Sequence, residues 1–193
     1  DLGAWVLREA CLAASGWPQD VCVAVNLSPA QITEGDLPRL VHSTLLELGL
    51  SPSRLELEIT ENVLIEDKSI ALHVLRRLSA MGVKIAMDDF GTGYASLSYL
   101  HFFPFDKIKI DQSFVSNLED NAYSLAIVDA VLGLCSSIGI PVTAEGIETR
   151  AQLEILMGKN CDYGEGYYLG APGDALVWMP PAKPGADQRP LSA

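Results

Sequence analysis

The chain has 193 residues, a length that suits one domain with its own core. Its composition is 49% hydrophobic and its mean hydropathy is +0.21, which excludes a disordered chain. Thirteen basic and 25 acidic side chains give a net charge of −12, which disfavours nucleic acid and anionic lipid as partners. A phosphate-bearing ligand requires metal ions or local cations that reverse this sign.

In chain order, the predicted elements are helix Leu2–Ser15, strand Val21–Val25, helix Asp36–Leu48, strand Leu55–Ile59, helix Lys68–Met81, strand Val83–Met87, short helix Tyr94–Leu100, strand Lys107–Ile110, helix Ala122–Ile138, strand Pro141–Ala144, a helix from Thr149 through Leu156 and strand Tyr163–Leu169. Helix and strand alternate about six times, which indicates an α/β fold with a parallel sheet. Six such units do not close an eight-stranded barrel. We therefore expect either an open sheet or two further strands before Asp1.

Two terminal features complete the domain plan. The chain begins inside its first helix, as a fragment that starts within a fold would. The last residues, Met179–Ala193, are rich in proline and poor in apolar side chains, which is typical of a linker or a disordered tail. We expect one domain over residues 1–175 and a proline-rich tail over 176–193.

Cysteine usage and hydropathy bear on location. No cysteine pair has the C-x-x-C spacing, so reduced, mostly buried thiols are expected at Cys11, Cys22, Cys135 and Cys161. The most apolar stretch, Ser124–Val142, is interrupted by Asp129 and Pro141 and makes a poor membrane span. The sequence predicts a cytoplasmic domain and leaves open whether the parent protein has a membrane anchor.

Polar groups stand at or near the ends of the six apolar runs. In chain order they are Asn26, Glu58, Asp88 with Asp89, Asp111, Glu145 and, near the start of the last run, Glu165. The carboxyl ends of parallel barrel strands meet at one face, so these groups converge there. Convergent carboxylates repel one another unless a metal or a cationic group neutralises them. The pattern therefore predicts a site for divalent cations.

Several of these residues have a plain structural alternative. An Asp-Asp pair before glycine is usually a turn, and Asn26 after a strand is ordinarily a turn residue, although its amide oxygen is also an acceptable metal ligand. Glu145 is either a loop acid or a ligand or base for water. Glu56 suits a solvent-facing sheet edge, whereas Glu58 at the strand end is better placed to be a ligand.

Lys109 and Glu61 allow two interpretations each. A lysine inside an apolar strand is costly unless it is paired, so Lys109 either forms a buried pair with Asp111 or stabilises charge on a phosphoryl oxygen or water. Glu61 is either part of the site or an acid that stabilises a helix N-terminus. The histidines fall in helical segments away from the strand ends, which disfavours zinc catalysis at His42, His73 and His101.

Five motifs occur in order: Asn26-Leu27-Ser28, Glu58-Ile59-Thr60-Glu61, Asp88-Asp89-Phe90-Gly91-Thr92-Gly93-Tyr94, Lys109-Ile110-Asp111 and Ala144-Glu145-Gly146-Ile147-Glu148. Over about residues 1–172 the chain resembles the EAL domain of bacterial cyclic di-GMP phosphodiesterases. The resemblance implies a modified (β/α)₈ barrel with one antiparallel strand, whose first two strands and Glu-Ala-Leu signature lie upstream. It also implies hydrolysis of cyclic di-GMP to linear pGpG with two Mg²⁺ or Mn²⁺, a homodimer, and a sensor or GGDEF-type domain upstream.

The resemblance also implies residue roles. The metals would be held by Asn26, Glu58, Asp88, Asp89 and Asp111. The substrate would lie against Asn26, Asp88, Tyr94 and Glu165. Glu145 would hold a water of the metal site and Lys109 would orient or activate the attacking water. Glu61 would tie down the loop at 89–94, which couples metal binding to dimerisation.

Two departures from the family keep other functions open. Glu165-Gly166-Tyr167 stands where the family has Gln-Gly before an aromatic residue, and Gly170-Ala171-Pro172 stands where it has a small residue, Arg and Pro. A carboxylate at 165 perturbs metal affinity or repels phosphate. The alternatives are a weak or inactive cyclic di-GMP receptor and a structural remnant that neither binds nor cleaves.

Overall fold

The computed structural model describes residues 2–61, 63, 68–92, 100, 103 and 105–173. Three predictions from the sequence lie outside the described residues. They concern Tyr94, most of the short helix at 94–100, and the proline-rich tail at 176–193.

The described strands form a six-stranded sheet in which each strand pairs with the next along the chain, and all five pairings are parallel. The strands are β1 (Val23–Leu27), β2 (Leu55–Thr60), β3 (Lys84–Phe90), β4 (Lys107–Ile110), β5 (Val142–Ala144) and β6 (Tyr163–Gly164). The predicted α/β fold with a parallel sheet is confirmed.

Helices connect the strands. They are α1 (Leu2–Ser15), α2 (Pro29–Thr33), α3 (Leu37–Leu48), α4 (Lys68–Ala80), α5 (Gln112–Val115), α6 (Ala122–Ile138) and α7 (Arg150–Gly158), with a 3₁₀ turn at Pro52–Arg54. Within the described part of the chain, no helix combines the length and apolar character needed to cross a bilayer.

Local capping explains where the long helices begin and end. Asn121 caps α6 by accepting hydrogen bonds from the amides of Tyr123 and Ser124, and Gly139 ends it in a left-handed conformation. At α7, the predicted capping box is present. The Thr149 hydroxyl accepts a hydrogen bond from the amide of Gln152, and the side-chain oxygen of Gln152 accepts one from the amide of Thr149. These signals lie within a few residues of each other, so the sequence alone reveals them.

Several strand bounds differ from the sequence prediction. The predicted strand Tyr163–Leu169 is wrong beyond Gly164, because the Gly166 carbonyl accepts from the amides of Leu169 and Gly170 and closes a turn. Asn26 and the pair Asp88–Asp89 lie inside β1 and β3 rather than after them. The short elements α2, α5 and the 3₁₀ turn carry no long-range periodicity and were not predicted.

The sheet is buried on both faces at β2. Leu55, Leu57 and Ile59 are fully buried against the helices, and Glu56 and Glu58 on the opposite face are 5% and 4% exposed. The interpretation of Glu56 as a solvent-facing edge residue is therefore wrong. In a parallel sheet covered on both sides, an acid in mid-strand must find a partner inside.

The sheet curves around its polar face. The ammonium of Lys109 on β4 lies 2.9 Å from a carboxylate oxygen of Glu58 on β2 and 3.5 Å from one of Glu165, just beyond β6. In a flat sheet, four strand spacings would separate β2 from β6 by about 19 Å. One side chain reaches both because the strands wrap around it, and we call this inner surface the concave face.

Gly166 lets the segment after β6 approach the loop after β5. The Glu165 carbonyl accepts from the amide of Ile147 at 2.9 Å, and the Ile147 carbonyl accepts from the amide of Tyr168 at 3.0 Å. Gly166 has a φ of 150°, and a Cβ there would lie 2.2 Å from the Ile147 nitrogen. Only glycine fits this position, directly after Glu165.

Replacing Gly166 by alanine should destabilise the fold. We expect Gly166→Ala to lower the free energy of unfolding by about 1–3 kcal/mol, because its Cβ meets backbone atoms that cannot rotate away. Gly133→Ala is the matched control: Gly133 lies within α6, a Cβ added there would meet no atom of the described residues within 4 Å beyond its own helix backbone, and the change should stabilise by up to about 1 kcal/mol. Chemical denaturation of both variants checks this, and equal stabilities would contradict it.

Candidate active site

Among the described residues, four carboxylates surround one lysine on the concave face. The Lys109 ammonium contacts Glu145, lies 2.9 Å from Glu58, 3.5 Å from Glu165 and 3.7 Å from Asp88, and its side chain is 5% exposed. Four carboxylates against one ammonium leave a net negative charge within a few ångströms. The cluster therefore needs further positive charge for all its acids to be ionised together.

Asp111 is not the partner of Lys109, so the interpretation as a Lys109–Asp111 pair is wrong. The Asp111 carboxylate caps α5, where it accepts from the amide of Ser113 at 3.0 Å and from the Ser113 hydroxyl. Alternation places residues 109 and 111 on one face only while the strand continues, and β4 ends at Ile110. Asp111 instead lies close enough to Asp89 to affect its pKa.

A bulge in β3 brings Asp88 and Asp89 to the same site. The pairing of β3 with β4 shifts between Met87 and Phe90, and Asp89 adopts a left-handed φ of 54°. Carboxylate oxygens of Asp88, Asp89 and Glu145 consequently lie within 4.8 Å of one another. Successive side chains of a regular strand point to opposite faces, so this convergence depends on the bend.

Two further predicted residues lie at the margin of the cluster. Asn26 is exposed on β1, in register with Glu58 on β2. Glu61 is 3% exposed and accepts a hydrogen bond of 2.9 Å from the amide of Gly91, which ties β2 to the loop after β3. The structure thus brings together Lys109 with Glu58, Asp88, Asp89, Glu145 and Glu165, and places Asn26 and Glu61 beside them.

Burial and like charges shift the pKa values of these groups. Burial alone would lower the pKa of Lys109, but its hydrogen bonds to Glu145 and Glu58 outweigh burial and raise it. Burial raises the pKa of Glu58, and burial with the nearby charges of Asp88 and Glu165 raises the pKa of Glu145 to about 7. Lys109 is therefore an ammonium ion at neutral pH, while Glu145 holds its proton far more tightly than an ordinary glutamate.

The pKa of Asp89 is raised as well. Burial is the main cause, and the charges of Asp88 and Asp111 add to it. Burial is thus the main cause of the raised pKa at Glu58, Asp89 and Glu145, and repulsion between neighbouring carboxylates adds to it at each. A divalent cation would offset that repulsion, and carboxylate oxygens such as those of Asp88, Asp89 and Glu145 are the ligands that Mg²⁺ and Mn²⁺ prefer.

A second ion pair lies beneath the cluster, and reasoning from the sequence missed it. The ammonium of Lys107 is 2.7 Å from a Glu56 carboxylate oxygen and 5.4 Å from the ring centroid of Tyr163. The available signal was the shared spacing of two residues between Glu56 and Glu58 on one strand and between Lys107 and Lys109 on another. The concave face therefore carries two layers of Glu–Lys pairs.

Comparison with known proteins identifies similar chains. A family model described as the EAL domain matches residues 1–172. An uncharacterized signaling protein of Caulobacter vibrioides is 56% identical over 188 residues, which are 96% of this chain and 23% of that protein. The bifunctional diguanylate cyclase/cyclic di-GMP phosphodiesterase MucR of Pseudomonas aeruginosa is 42% identical over 175 residues, 89% of this chain and 26% of MucR. The chain thus spans about a quarter of the length of these curated relatives.

Solved structures resemble the fold closely. The MucR phosphodiesterase in complex with cyclic di-GMP has a TM-score of 0.85 at 42% identity, covering 89% of this chain and 71% of that one. Klebsiella pneumoniae BlrP1 with manganese and cyclic di-GMP at pH 6 has a TM-score of 0.79 at 32% identity, covering 86% and 43%. With the curved parallel sheet, these similarities confirm the predicted barrel class of fold.

The raised pKa of Glu145 predicts a pH-dependent stability in the absence of metal. Since the folded state holds this proton more tightly than the unfolded state, its contribution to stability is full below about pH 4.5 and is lost as the pH rises towards 7. We expect Glu145→Gln in chelator to raise Tm by about 2–4 °C at pH 8 and to leave it unchanged at pH 5. Calorimetry at both pH values checks this.

A lower Tm for Glu145→Gln at pH 8 would mean that the ion pair of Glu145 with Lys109 outweighs the repulsion from the neighbouring acids. Glu154→Gln is the control, because its carboxylate pairs with Arg150 on the exposed surface of α7.

Proposed function

The chain belongs to the EAL domain family, and we propose that it hydrolyses cyclic di-GMP to linear pGpG in the presence of Mg²⁺ or Mn²⁺. The observation that carries this proposal is the convergence of the Asp88, Asp89 and Glu145 carboxylates beside the buried ammonium of Lys109. The phosphodiesterase name of MucR and the manganese complex of BlrP1 support it. The remnant hypothesis has no support from this arrangement.

The donor set fits the proposed metals. Carboxylate oxygens predominate, and their charges are only partly balanced by Lys109. We propose that two metal ions are held by Asn26, Glu58, Asp88, Asp89 and Asp111. When bound, the ions stabilise the charge that develops on the attacking and leaving oxygens of a phosphodiester, and they attract a dianionic substrate to an acidic protein.

Lys109 acts in this proposal as a hydrogen-bond donor and not as a base. Its raised pKa keeps it protonated, so it orients the attacking water or a phosphoryl oxygen through N–H groups and stabilises negative charge there. Glu145, which contacts Lys109 and whose carboxylate lies within 4.8 Å of those of Asp88 and Asp89, is placed to hold the attacking water and to accept its proton. Attack of water on one phosphorus breaks its P–O3′ bond, and the O3′ leaving group ends as a hydroxyl.

The bond from the Gly91 amide to Glu61 supports the expected link between the site and the start of the loop after β3. On the resemblance alone, we propose that this loop couples metal binding to a homodimer. MucR, by its name, combines this activity with a diguanylate cyclase, which supports a cyclase-type or sensor domain elsewhere in the parent protein. We also propose that the domain is cytoplasmic.

Chromatography of a reaction with cyclic di-GMP and Mn²⁺ tests the activity. We expect pGpG to appear with the wild-type chain and to disappear when a chelator is added. Asp88→Asn should lower turnover at least about 100-fold, because loss even of groups that only support a metal ligand costs 10- to 100-fold. Asp129→Asn is the matched control, since Asp129 pairs with Lys159 away from the concave face. Unchanged turnover in Asp88→Asn would contradict the metal assignment.

A receptor without turnover is the second candidate, and one observation favours it. The Glu165 carboxylate lies 3.5 Å from Lys109, where the resemblance leads us to expect a neutral glutamine. The carboxylate of Glu165 competes with the other three acids for the ammonium of Lys109, and it repels a phosphate group that approaches the site.

Glu165→Gln distinguishes the two candidates. We expect the variant to bind cyclic di-GMP more tightly and to turn it over faster than the wild type, because one repulsive charge is removed. Steady-state kinetics and calorimetric titration measure both quantities, with Glu154→Gln on exposed α7 as the control. Binding without turnover in both the wild type and Glu165→Gln would establish the receptor.

A further inference from the structure

Two Glu–Lys pairs are stacked along β2 and β4. The upper pair, Glu58 with Lys109, belongs to the site, and the lower pair, Glu56 with Lys107, lies one side-chain layer beneath it. Members of the two layers are two residues apart on the same strand, which is about 7 Å along a strand. A lysine ammonium on its flexible four-carbon stem can cover much of that distance.

Glu56 is consequently a competitor for the ammonium of Lys109. Its side chain is 7% exposed, so its carboxylate is largely shielded from water and needs a cation nearby. Lys107 meets that need at 2.7 Å, and the ring of Tyr163 gives the same ammonium a second favourable contact. With Glu56 neutralised from below, Lys109 is attracted only towards the upper carboxylates.

Ala86 makes the crossing of both pairs possible. It lies on β3 between β2 and β4, in register with Glu58 on one side and Lys107 on the other, and is fully buried. It shares a face with Asp88, two residues further along the strand. A methyl group there leaves room for two lysine side chains to reach over β3 to the glutamates of β2.

We propose that Glu56 and Lys107 form a positioning pair that holds the ammonium of Lys109 in the upper layer of the concave face. Neither residue touches the metal site. Lys107 neutralises Glu56, so Glu56 no longer attracts the ammonium of Lys109. Replacing Lys107 should therefore affect Lys109 only as long as residue 56 is an acid. The turnover measurement below rests on the proposed phosphodiesterase activity, and the Mn²⁺ titration rests on the proposed metal site alone.

Lys107→Met tests the inference, because it leaves Glu56 without its cation and free to draw Lys109 downwards. We expect turnover of cyclic di-GMP to fall about 10- to 100-fold with KM nearly unchanged, as a small displacement of a reacting group does. Calorimetric titration with MnCl₂ should show several-fold tighter binding at the same time, because the upper carboxylates lose a competing cation. Damage to the fold would weaken both instead.

The double variant Glu56→Gln/Lys107→Met is the decisive comparison. It removes the competitor together with its partner, so turnover and Mn²⁺ affinity should return to near wild-type values. Lys159→Met is the matched control, since it breaks a surface pair with Asp129 of similar length and should change neither quantity. Should Lys107→Met fail to fold, Lys107→Gln carries the same test.

Two outcomes would overturn the proposal. In the first, Lys107→Met leaves both turnover and Mn²⁺ affinity unchanged. In the second, it lowers both and the double variant does not recover, which is the behaviour of a purely structural pair. If the wild-type chain shows no turnover, the proposed function fails separately, and the Mn²⁺ affinities of the three chains still decide whether Lys109 is held from below.

Discussion

One ammonium shared among four carboxylates is the interaction on which the site depends. To reach Glu58 on one side and Glu165 on the other, Lys109 requires a sheet that wraps around it. The remaining negative charge of the cluster is reduced either by protonation of an acid or by cations from solution. The curvature of the sheet, the acidity of the concave face and the proposed affinity for divalent metals therefore all relate to the same arrangement.

Much of this arrangement is predictable from the sequence, because its signals are local or periodic. Strand β4 and helix α6 have the predicted bounds, since alternation and caps act over a few residues. The convergence of Glu58, Asp88 and Glu145 follows from a general rule, because the carboxyl ends of parallel strands meet at one face. Neither inference requires knowledge of which strand lies beside which.

The sequence does not reveal which charged side chains pair with one another in the folded chain. Lys109 is two residues from Asp111 in the chain but pairs with acids on four other segments, and the buried Glu56 pairs with Lys107 across β3. These contacts depend on the curvature of the whole sheet, which is a sum of many small strand rotations. The early end of β6 has a similar origin, because its course after Gly164 depends on backbone contacts with the loop after β5.

The left-handed backbone at Asp89 places stability and chemistry in opposition at one position. Glycine adopts that conformation without steric cost, whereas a residue with a Cβ is held there by its surroundings. A library of variants sorted for heat resistance alone should therefore drift towards glycine at 89, and one sorted for catalysis should retain the acid. Protein engineering that aims to raise the thermal stability of this domain should therefore keep Asp89 and vary other positions.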